Sequence, residues 1–383
     1  MRRGRRAAAV GLAVAGLAAG AAWAAPLQRP AEVNRPAQRG TPPVRSFTLA
    51  ATGDILTENL VLANGAAAAA PGERYDFGPL FARHAPIVSA ATLAICHMEV
   101  PLGWPGAPVG AHGRSNTANR LLGPAEMAAA VAGAGYDRCS TASNHSYDLW
   151  ASGIDSTLGM LDAAGVTHAG TARSAEEAAA SAQPFLVHGV QVSHLSWSVA
   201  SNTELPEQWR FHYTARNPAP VLAEVAAARA AGAEVVIVSV HTGRENVFAP
   251  VADDRAFVTA LTASGQVDLV IGHGPHVIQP IERVNGTWVY WSLGNLVSGM
   301  PESNAGRYTA DARDGLLAWA EVRVTADGTV SITPSAVLLC NQLGTRTVWP
   351  AVSALADPAT PAALRPQLEA CITRATRIVA PLL

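Results

Sequence analysis

Short apolar runs that end in glycine and histidine dominate the hydrophobic pattern of the chain. Residues 235–241 and 268–276 each contain a run of Val, Ile and Leu and then deliver histidines. Uninterrupted apolar runs of this length are typical of strands buried on both faces of a parallel sheet. Three earlier segments repeat the design with a carboxylate, an amide or an imidazole at the end: residues 48–54, 94–99 and 139–145. We therefore predict five strands whose carboxyl ends carry polar side chains.

Helix-like segments precede several of these strands. Residues 218–231 begin with prolines and end before Gly232, whereas residues 253–265 begin with acidic residues and end at a glycine, as helices do. Residues 123–133 come before the third strand. Strands that alternate with helices form a largely parallel sheet, and ligands bind beyond the carboxyl ends of its strands. The five polar strand ends are therefore expected to form one metal site.

Two turn signals indicate that antiparallel strands follow the parallel ones. Asn285-Gly286 separates the apolar segments 277–284 and 287–293, and Asp327-Gly328 separates residues 316–324 from residues 329–332. Both dipeptides favour two-residue hairpin turns. Parallel and antiparallel strands together predict a mixed α/β fold, a two-sheet β-sandwich flanked by helices.

Composition allows a large core but gives no sign of nucleic-acid binding. The chain has 383 residues, of which 49% are hydrophobic, and its net charge is −2. So small a charge provides no general attraction to nucleic acid or to anionic membranes. Any binding of a polyanion must therefore come from a local site.

The amino-terminal residues predict export. Residues 1–6 are basic, residues 7–22 are small and apolar, and Ala22-Trp23-Ala24 fits a cleavage site. We expect a signal peptide over residues 1–24, with an uncleaved anchor as the alternative, and an extracytoplasmic protein that is secreted or associated with the cell envelope. A Pro-rich linker over residues 25–45, a main domain over residues 46–340 and a C-terminal extension over residues 341–383 would follow. The extension contains a helical segment at residues 362–379.

Export also permits disulfides between the four cysteines. Cys96 and Cys139 lie inside apolar strands, where we expect buried free thiols. Cys340 ends a strand-like run and Cys371 lies in the C-terminal helical segment, so a bridge between these two is left open. None of the spacings is typical of a zinc site built from cysteines.

Six motifs follow one another in an order that resembles a known family: GDILTEN (53–59), HMEVPL (97–102), SNHSYDLWASG (143–153), VHTGRE (240–245), GHGPHVIQPIE (272–282) and YWSLGNLV (290–297). Over roughly residues 47–299 the chain resembles the CapA family of capsule and poly-γ-glutamate biosynthesis proteins, part of the calcineurin-like metallophosphoesterase group. Each motif alone is weak, but six in order are hard to attribute to chance.

The resemblance implies a site for two divalent ions, such as Mn, Fe or Zn. Such a site needs carboxylates, neutral imidazoles and one bridging oxygen ligand. Asp54 would bind the first ion, Glu99 would bridge, and Asn144 and His241 would bind the second, while His273 and His276 complete the shells. His145 would protonate the leaving oxygen, and Asp148 would orient His145. Asn295, at the end of Ser292-Leu-Gly-Asn, is either part of a substrate-facing loop or simply a turn residue at a strand end.

Departures from the family pattern leave the identity of one ligand open. The family usually has Asn-x-Glu where this chain has His97-Met-Glu99, and often has Trp where this chain has Thr242. Many relatives have Gly-Ser-His-Pro-His, whereas here Gly274 fills the middle position and His273 comes one residue earlier. The remaining histidines have no motif around them and are expected to be surface or structural residues: His84, His112, His168, His188, His194 and His212.

The resemblance implies an exported, metal-dependent hydrolase that acts in the biosynthesis or processing of an anionic capsule polymer such as poly-γ-glutamate. The sequence does not choose between a phosphate ester and an amide as the bond cleaved. Two alternatives stay open: a non-catalytic, metal-binding accessory subunit of a membrane polymer synthase or exporter, and a general phosphoesterase. Fold alone is a poor guide to substrate.

Overall fold

The computed structural model describes residues 44–115, 118–302 and 306–379, and two large β-sheets account for the apolar runs of the sequence. The strands are β1 (Arg45–Ile55), β2 (Leu93–Met98), β3 (Gly110–Arg114), β4 (Asn119–Leu122), β5 (Arg138–Ser140), β6 (Thr167–Ala169), β7 (Phe185–Val187), β8 (Val190–Ser198), β9 (Val235–His241), β10 (Leu269–His273), β11 (Ile281–Val284), β12 (Thr287–Tyr290), β13 (Asn295–Val297), β14 (Asp314–Val324), β15 (Val330–Asn341) and β16 (Val348–Pro350).

Both large sheets mix parallel and antiparallel pairs. The first sheet has the order β16-β15-β14-β1-β2-β5-β6, with β13 also paired to β1. Strand β1 runs parallel to β2 and β13 and antiparallel to β14. The second sheet has the order β11-β12-β10-β9-β8-β7, and its four inner strands β12, β10, β9 and β8 are parallel. Strands β3 and β4 form a separate antiparallel pair.

Helices cover the outer faces of both sheets. The helices are α1 (Asn59–Ala68), α2 (Gly78–Phe81), α3 (Ala85–Val88), α4 (Glu126–Gly133), α5 (Trp150–Ala163), α6 (Ala175–Ser181), α7 (Pro218–Ala230), α8 (Ala252–Ala263), α9 (Ala351–Ala356) and α10 (Arg365–Val379). The predicted helices over residues 218–231, 253–265 and 123–133 correspond to α7, α8 and α4. In α7 the side chain of Asn217, directly before Pro218, accepts a hydrogen bond from the N–H of Ala219 and so caps the start of the helix.

The main core lies between the two sheets. Leu49 and Ile95 of the first sheet and Ile237 and Ile271 of the second belong to one buried apolar cluster. Because successive side chains of a strand point to opposite faces, Ala50 faces away from this core and packs with the helices outside. Each fully buried leucine or isoleucine contributes roughly 1.5–3 kcal/mol. The predicted two-sheet sandwich flanked by helices is confirmed.

One of the two predicted hairpin turns is correct and the other is not. Strands β11 and β12 are joined by Asn285 and Gly286 alone, whose φ angles of 49° and 88° are those of a two-residue hairpin turn. Between β14 and β15, however, Val324 pairs with Val330, so five residues form the connection. The N–H of residue 325 donates to the carbonyl of residue 329, which closes the longer loop around Asp327.

The structure corrects the expectation for the first cysteine pair. Cys96 and Cys139 form a disulfide and are not free thiols. They are register partners on the parallel strands β2 and β5, with Cα atoms 4.4 Å apart, a pairing that the sequence did not reveal. Cys340 and Cys371 form a second disulfide, which ties β15 to α10.

The C-terminal helices pack on the same core as the sheets. Leu368 and Val379 of α10 are buried with the residues between the sheets. The division of domains at residue 340 stays a prediction. The signal peptide and most of the linker, predicted over residues 1–24 and 25–45, lie outside the described residues. Within residues 44–115, 118–302 and 306–379, the helices are too short or too polar to cross a bilayer.

Candidate metal centre

The polar strand ends of the two sheets meet at one place. Asp54 and His97 are register partners on β1 and β2 of the first sheet, and His241 and His273 are register partners on β9 and β10 of the second. Nε2 of His97 lies 3.0 Å from Nδ1 of His241, and Nδ1 of His273 lies 3.5 Å from Oδ1 of Asp54. The site therefore lies between two sheets and not at the edge of one.

Asp54 lies at the centre of this cluster and is fully buried. Its Oδ2 accepts the N–H of Gly274 at 3.2 Å and lies 3.2 Å from Nδ1 of His276. Although burial raises the pKa of Asp54, the adjacent rings of His273 and His276 bring that pKa well below its usual value. The carboxylate is therefore charged at neutral pH.

Glu99 follows β2 directly and is also fully buried. Among the described residues neither of its oxygens has a hydrogen-bond partner, and its closest cationic neighbour is Nε2 of His276 at 3.7 Å. Burial raises the pKa of Glu99 well above its usual value, although the charge of His276 opposes this. For His276, burial lowers the pKa, but Glu99 and Asp54 together raise it to about 10.

Among the described residues, four groups of three side chains have ligand atoms within 4.8 Å of one another, and two of these groups lie at this site: Asp54, His97 and His273, and Asp54, Glu99 and His276. Several buried ligand-type atoms have no hydrogen-bond partner in the part of the chain that the structure describes: Oδ1 of Asp54, both oxygens of Glu99, both ring nitrogens of His273 and Oδ1 of Asn144. Buried polar atoms without partners are costly, and a cation satisfies several acceptors at once. Carboxylates, imidazoles and an amide suit divalent Mn, Fe or Zn, so these residues fit such ions. The bridging role of Glu99 stays a prediction.

His241 and Asn144 complete the set of residues implied as ligands. Burial lowers the pKa of His241 to about 3, which keeps its ring in the neutral form that binds metals. Close contacts explain why position 274, next to His241, is a glycine. A Cβ at this position would lie 2.0 Å from the carbonyl oxygen of Thr242 and 2.9 Å from Nε2 of His241. Its φ of 100° also favours glycine.

His145 and Asp148 form a hydrogen-bonded pair beside this cluster. Nδ1 of His145 lies 2.6 Å from Oδ2 of Asp148, which also accepts the N–H of Leu121 at 2.7 Å. The side-chain amide nitrogen of Asn202 lies 3.3 Å from Nε2 of His145. The carboxylate therefore fixes the ring so that Nε2 remains available for proton transfer. The catalytic role of both residues stays a prediction.

Asn295 has a different position from the one expected of a substrate-binding residue. It is fully buried, its Oδ1 lies 3.0 Å from Nδ1 of His276, and its Nδ2 donates to the carbonyl of Ala312 at 2.9 Å. Both ends of the amide are thus engaged inside the protein. The structure places Asn295 next to His276, whose ring it orients, and its role in substrate binding stays a prediction.

A pocket of about 240 Å³ opens onto His145 and His276. Its described lining includes two arginines, Arg114 and Arg307, together with Glu245 and Tyr308. Arg307 and the hydroxyl of Tyr308 each donate to Oε2 of Glu245 at 2.6 Å. Sequence reasoning missed both arginines, Tyr308 and Asn202, because no periodicity or motif marks them. Arg114 is the last residue of β3, and the other three lie in loops.

The histidines without motif support lie outside both ligand groups. His84 and His194 are fully buried, and Nε2 of His168 lies 3.2 Å from Asp162. His212 lies 3.6 Å from Glu224. Their positions agree with structural roles.

Residues 48–300 match a protein family described as bacterial capsule synthesis protein PGA_cap. Among curated proteins, the chain is 27% identical over 158 residues to the PGA biosynthesis protein CapA of Bacillus subtilis (strain 168), which covers 41% of each chain. It is 28% identical over 178 residues to the capsule biosynthesis protein CapA of Bacillus anthracis, covering 45% of this chain and 42% of that protein. It is 30% identical over 172 residues to a probable polyglutamine synthesis accessory protein of Mycobacterium tuberculosis (strain CDC 1551 / Oshkosh), covering 42% of this chain and 44% of that protein. The matches thus span less than half the length of these relatives.

Two solved structures are also similar. A calcineurin-like phosphoesterase from Bacillus subtilis superposes with a TM-score of 0.43 at 13% identity, covering 88% of this chain and 98% of that one. A phosphatase from Mycoplasma pneumoniae gives a TM-score of 0.39 at 14% identity, covering 77% of this chain and 94% of that one. The family match extends over most of the fold and over every residue of the cluster around Asp54. The chain therefore belongs to the bacterial capsule synthesis protein PGA_cap family, and the resemblance to CapA proteins is confirmed.

Proposed function

We propose that this protein is a divalent-metal-dependent hydrolase that acts on an anionic capsule polymer, such as poly-γ-glutamate, during biosynthesis or processing. One observation carries the proposal: buried ligand atoms of Asp54 and Glu99 without hydrogen-bond partners lie next to His276, which lines one pocket together with His145 of the His–Asp pair. A purely structural core would have no use for so many unpaired acceptors. The family and the names of the relatives support the class of polymer.

The ligands of the ions would be Asp54, Glu99, Asn144, His241, His273 and His276. Divalent ions held there supply Lewis acidity, which stabilises negative charge that develops on a substrate oxygen. The protein holds the ligands in place before binding. Asn295 orients His276, and the N–H of Gly274 orients Asp54.

His145 would donate a proton to the leaving group. Asp148 accepts the Nδ1–H of the ring, which orients the ring so that Nε2 is the nitrogen from which a proton would be transferred to the substrate. A positioned acid of this kind contributes roughly 10²–10⁴-fold to the rate.

The arginines of the pocket favour a negatively charged substrate. Arg307 and Arg114 line the pocket together with His276, which lies next to the carboxylates of Asp54 and Glu99. Ions bound by those carboxylates would offset their charge. The side chain of Arg307 is 63% exposed and is held near the pocket by Glu245. A carboxylate or a phosphate of the substrate can pair with such an exposed guanidinium.

We also propose that the protein works outside the cytoplasm. The basic start, the apolar residues 7–22 and the Ala22-Trp23-Ala24 site support this. Amino-terminal sequencing of the protein from secreted and membrane fractions tests the proposal, with a mature chain expected to begin near Ala25. Recovery of uncleaved protein in the cytosol alone would exclude it.

The name of the mycobacterial relative supports a second function, that of an accessory protein for polymer synthesis. In that role the site would bind metal without turnover, and the partners would be membrane subunits of a polymer synthase. Activity distinguishes the two functions, since an accessory protein releases no product.

The test is metal content together with a substrate screen on the purified protein. Phosphate monoesters, phosphate diesters and poly-γ-glutamate are incubated with wild type, His145→Ala and His168→Ala. The control removes a histidine that is also paired with a carboxylate, Asp162, but lies outside the pocket. Hydrolysis by wild type and His168→Ala, but not by His145→Ala, supports the enzyme. Bound metal without turnover of any substrate supports the accessory protein, and a protein that takes up no metal contradicts both.

A further inference from the structure

His97 lies near the end of β2 and is fully buried. Its ring stacks on that of His273 with centroids 4.0 Å apart. Both of its nitrogens have partners, and these partners determine which nitrogen carries the proton.

The hydrogen bonds around His97 form a directed chain. The hydroxyl of Ser140 donates to the carbonyl of Cys96 at 3.2 Å, so its oxygen is free to accept a bond. Nδ1 of His97 lies 2.7 Å from that oxygen and therefore carries the proton that it donates. In a neutral ring, Nε2 is then an acceptor with one lone pair.

The acceptor of His97 faces the ring of His241. Nε2 of His97 lies 3.0 Å from Nδ1 of His241, so Nδ1 of His241 is the donor. This leaves Nε2 of His241 without a proton, on the side of the ring next to Gly274. The N–H of Gly274 in turn donates to Asp54, so the free lone pair lies on the side of the carboxylate cluster.

We propose that His97 is a positioning residue: together with Ser140 it fixes His241 in the tautomer whose Nε2 can bind a metal ion. The proposal rests on the metal site of the proposed function. Histidines that bind metals commonly donate their other N–H to a polar partner, which sets the ring orientation and raises the basicity of the ligand. In this protein a second histidine is that partner.

A direct role for His97 as a ligand is the competing possibility, since its Nε2 is near Asp54 and His273. The geometry favours the positioning role. The single lone pair of Nε2 is directed to a donor 3.0 Å away, whereas Oδ1 of Asp54 lies at 3.9 Å. One lone pair cannot both accept this bond and bind an ion.

The test compares His97→Phe, which keeps a ring but removes the acceptor, with His97→Gln, whose amide oxygen can accept near the position of Nε2. His84→Phe is the matched control, because it makes the same change at a fully buried histidine outside the cluster. Zn²⁺ affinity is measured by competition titration and stoichiometry by elemental analysis. The ¹⁵N shifts of the histidine rings, recorded with and without Zn²⁺, report the tautomer of His241.

We expect His97→Phe to weaken binding of one ion roughly 10–100-fold while still taking up two ions at saturation. His97→Gln should recover most of the loss, and His84→Phe should bind like wild type. The ¹⁵N shifts should show a protonated Nδ1 in His241 of wild type and a mixture of tautomers in His97→Phe. If His97→Phe does not fold, Ser140→Ala tests the same series of hydrogen bonds and should also produce a mixture of His241 tautomers.

Three results would overturn the proposal. If His97→Phe binds Zn²⁺ as tightly as wild type and its His241 has the same tautomer, His97 has no positioning role. A drop to one ion at saturation in both His97 variants would make His97 a ligand. An unprotonated Nδ1 of His241 in the metal-free wild type would reverse the hydrogen-bond chain. If wild type binds no Zn²⁺, the proposed function fails, while the metal-free ¹⁵N shifts still decide the tautomer.

Discussion

Glu99→Gln should stabilise the metal-free protein while weakening its metal binding. Glu99 is fully buried, and its oxygens have no hydrogen-bond partner among the residues that the structure describes. Burial raises its pKa well above 4.5, against the opposing charge of His276. In the absence of metal, folding therefore favours the protonated form of this carboxyl. A glutamine needs no such proton.

The sign and size of the effect follow from linkage. A carboxyl whose pKa is raised on folding contributes stability that is fully present below its unfolded pKa and is lost as the pH rises toward the folded pKa. The loss is about 1.4 kcal/mol for each pH unit above 4.5, the ordinary value of the group. The free energy of unfolding of Glu99→Gln relative to wild type should therefore rise by about 2 kcal/mol between pH 4.5 and pH 6.

Urea denaturation in EDTA at several pH values measures this difference. With Mn²⁺ added at pH 7, wild type should instead be more stable than Glu99→Gln, because wild type gains more stability from metal binding than the variant does. Glu234→Gln is the control: Arg45 holds both of its oxygens and lowers its pKa, so its replacement should not become more favourable as the pH rises. A difference between Glu99→Gln and wild type that stays constant from pH 4.5 to pH 6 would refute the reasoning.

Two further changes test the scaffold and the pocket. Cys340→Ser and Cys371→Ser should each lower the free energy of unfolding by about 3–4 kcal/mol, because the bridge spans a separation of 31 residues. In urea denaturation, the double variant should lose no more free energy of unfolding than either single variant. Additive losses would contradict a bridge. Arg307→Gln should raise KM for a charged substrate several-fold with little change in kcat, since its side chain lines the pocket away from the ligand cluster. Steady-state kinetics that show a fall in kcat alone would exclude this role in substrate binding.

Strand positions were predictable, but the partition of strands between sheets was not. Apolar runs such as residues 235–241 mark buried strands because both of their faces lack water. The sequence of an apolar segment does not show which other segment it pairs with. The prediction therefore placed five strand ends at one metal site without assigning the strands to sheets. The structure shares them between two sheets whose carboxyl ends meet at Asp54 and His273. For the same reason the partnership of Cys96 with Cys139 could not be seen.

The candidate site was predictable to the extent that motifs marked it. Asp54, Glu99 and His276 come from three separate motifs and lie together in the structure. Asn295 was also marked by a motif, but its burial behind His276 depends on packing that the motif does not encode. Arg307 carried no local signal, because long-range contacts alone bring its loop to the pocket.

Metal stoichiometry of the purified protein tests the central claim most directly. After loading with Mn²⁺ or Zn²⁺ and removal of excess ions, elemental analysis should give two ions for wild type and for His145→Ala. His276→Ala should retain about one ion, because a histidine serves a single ion. Glu99→Ala should retain none, because a bridging carboxylate holds both ions and offsets their mutual repulsion. A wild-type protein that takes up no metal, or a Glu99→Ala variant that binds two ions like wild type, would contradict the account.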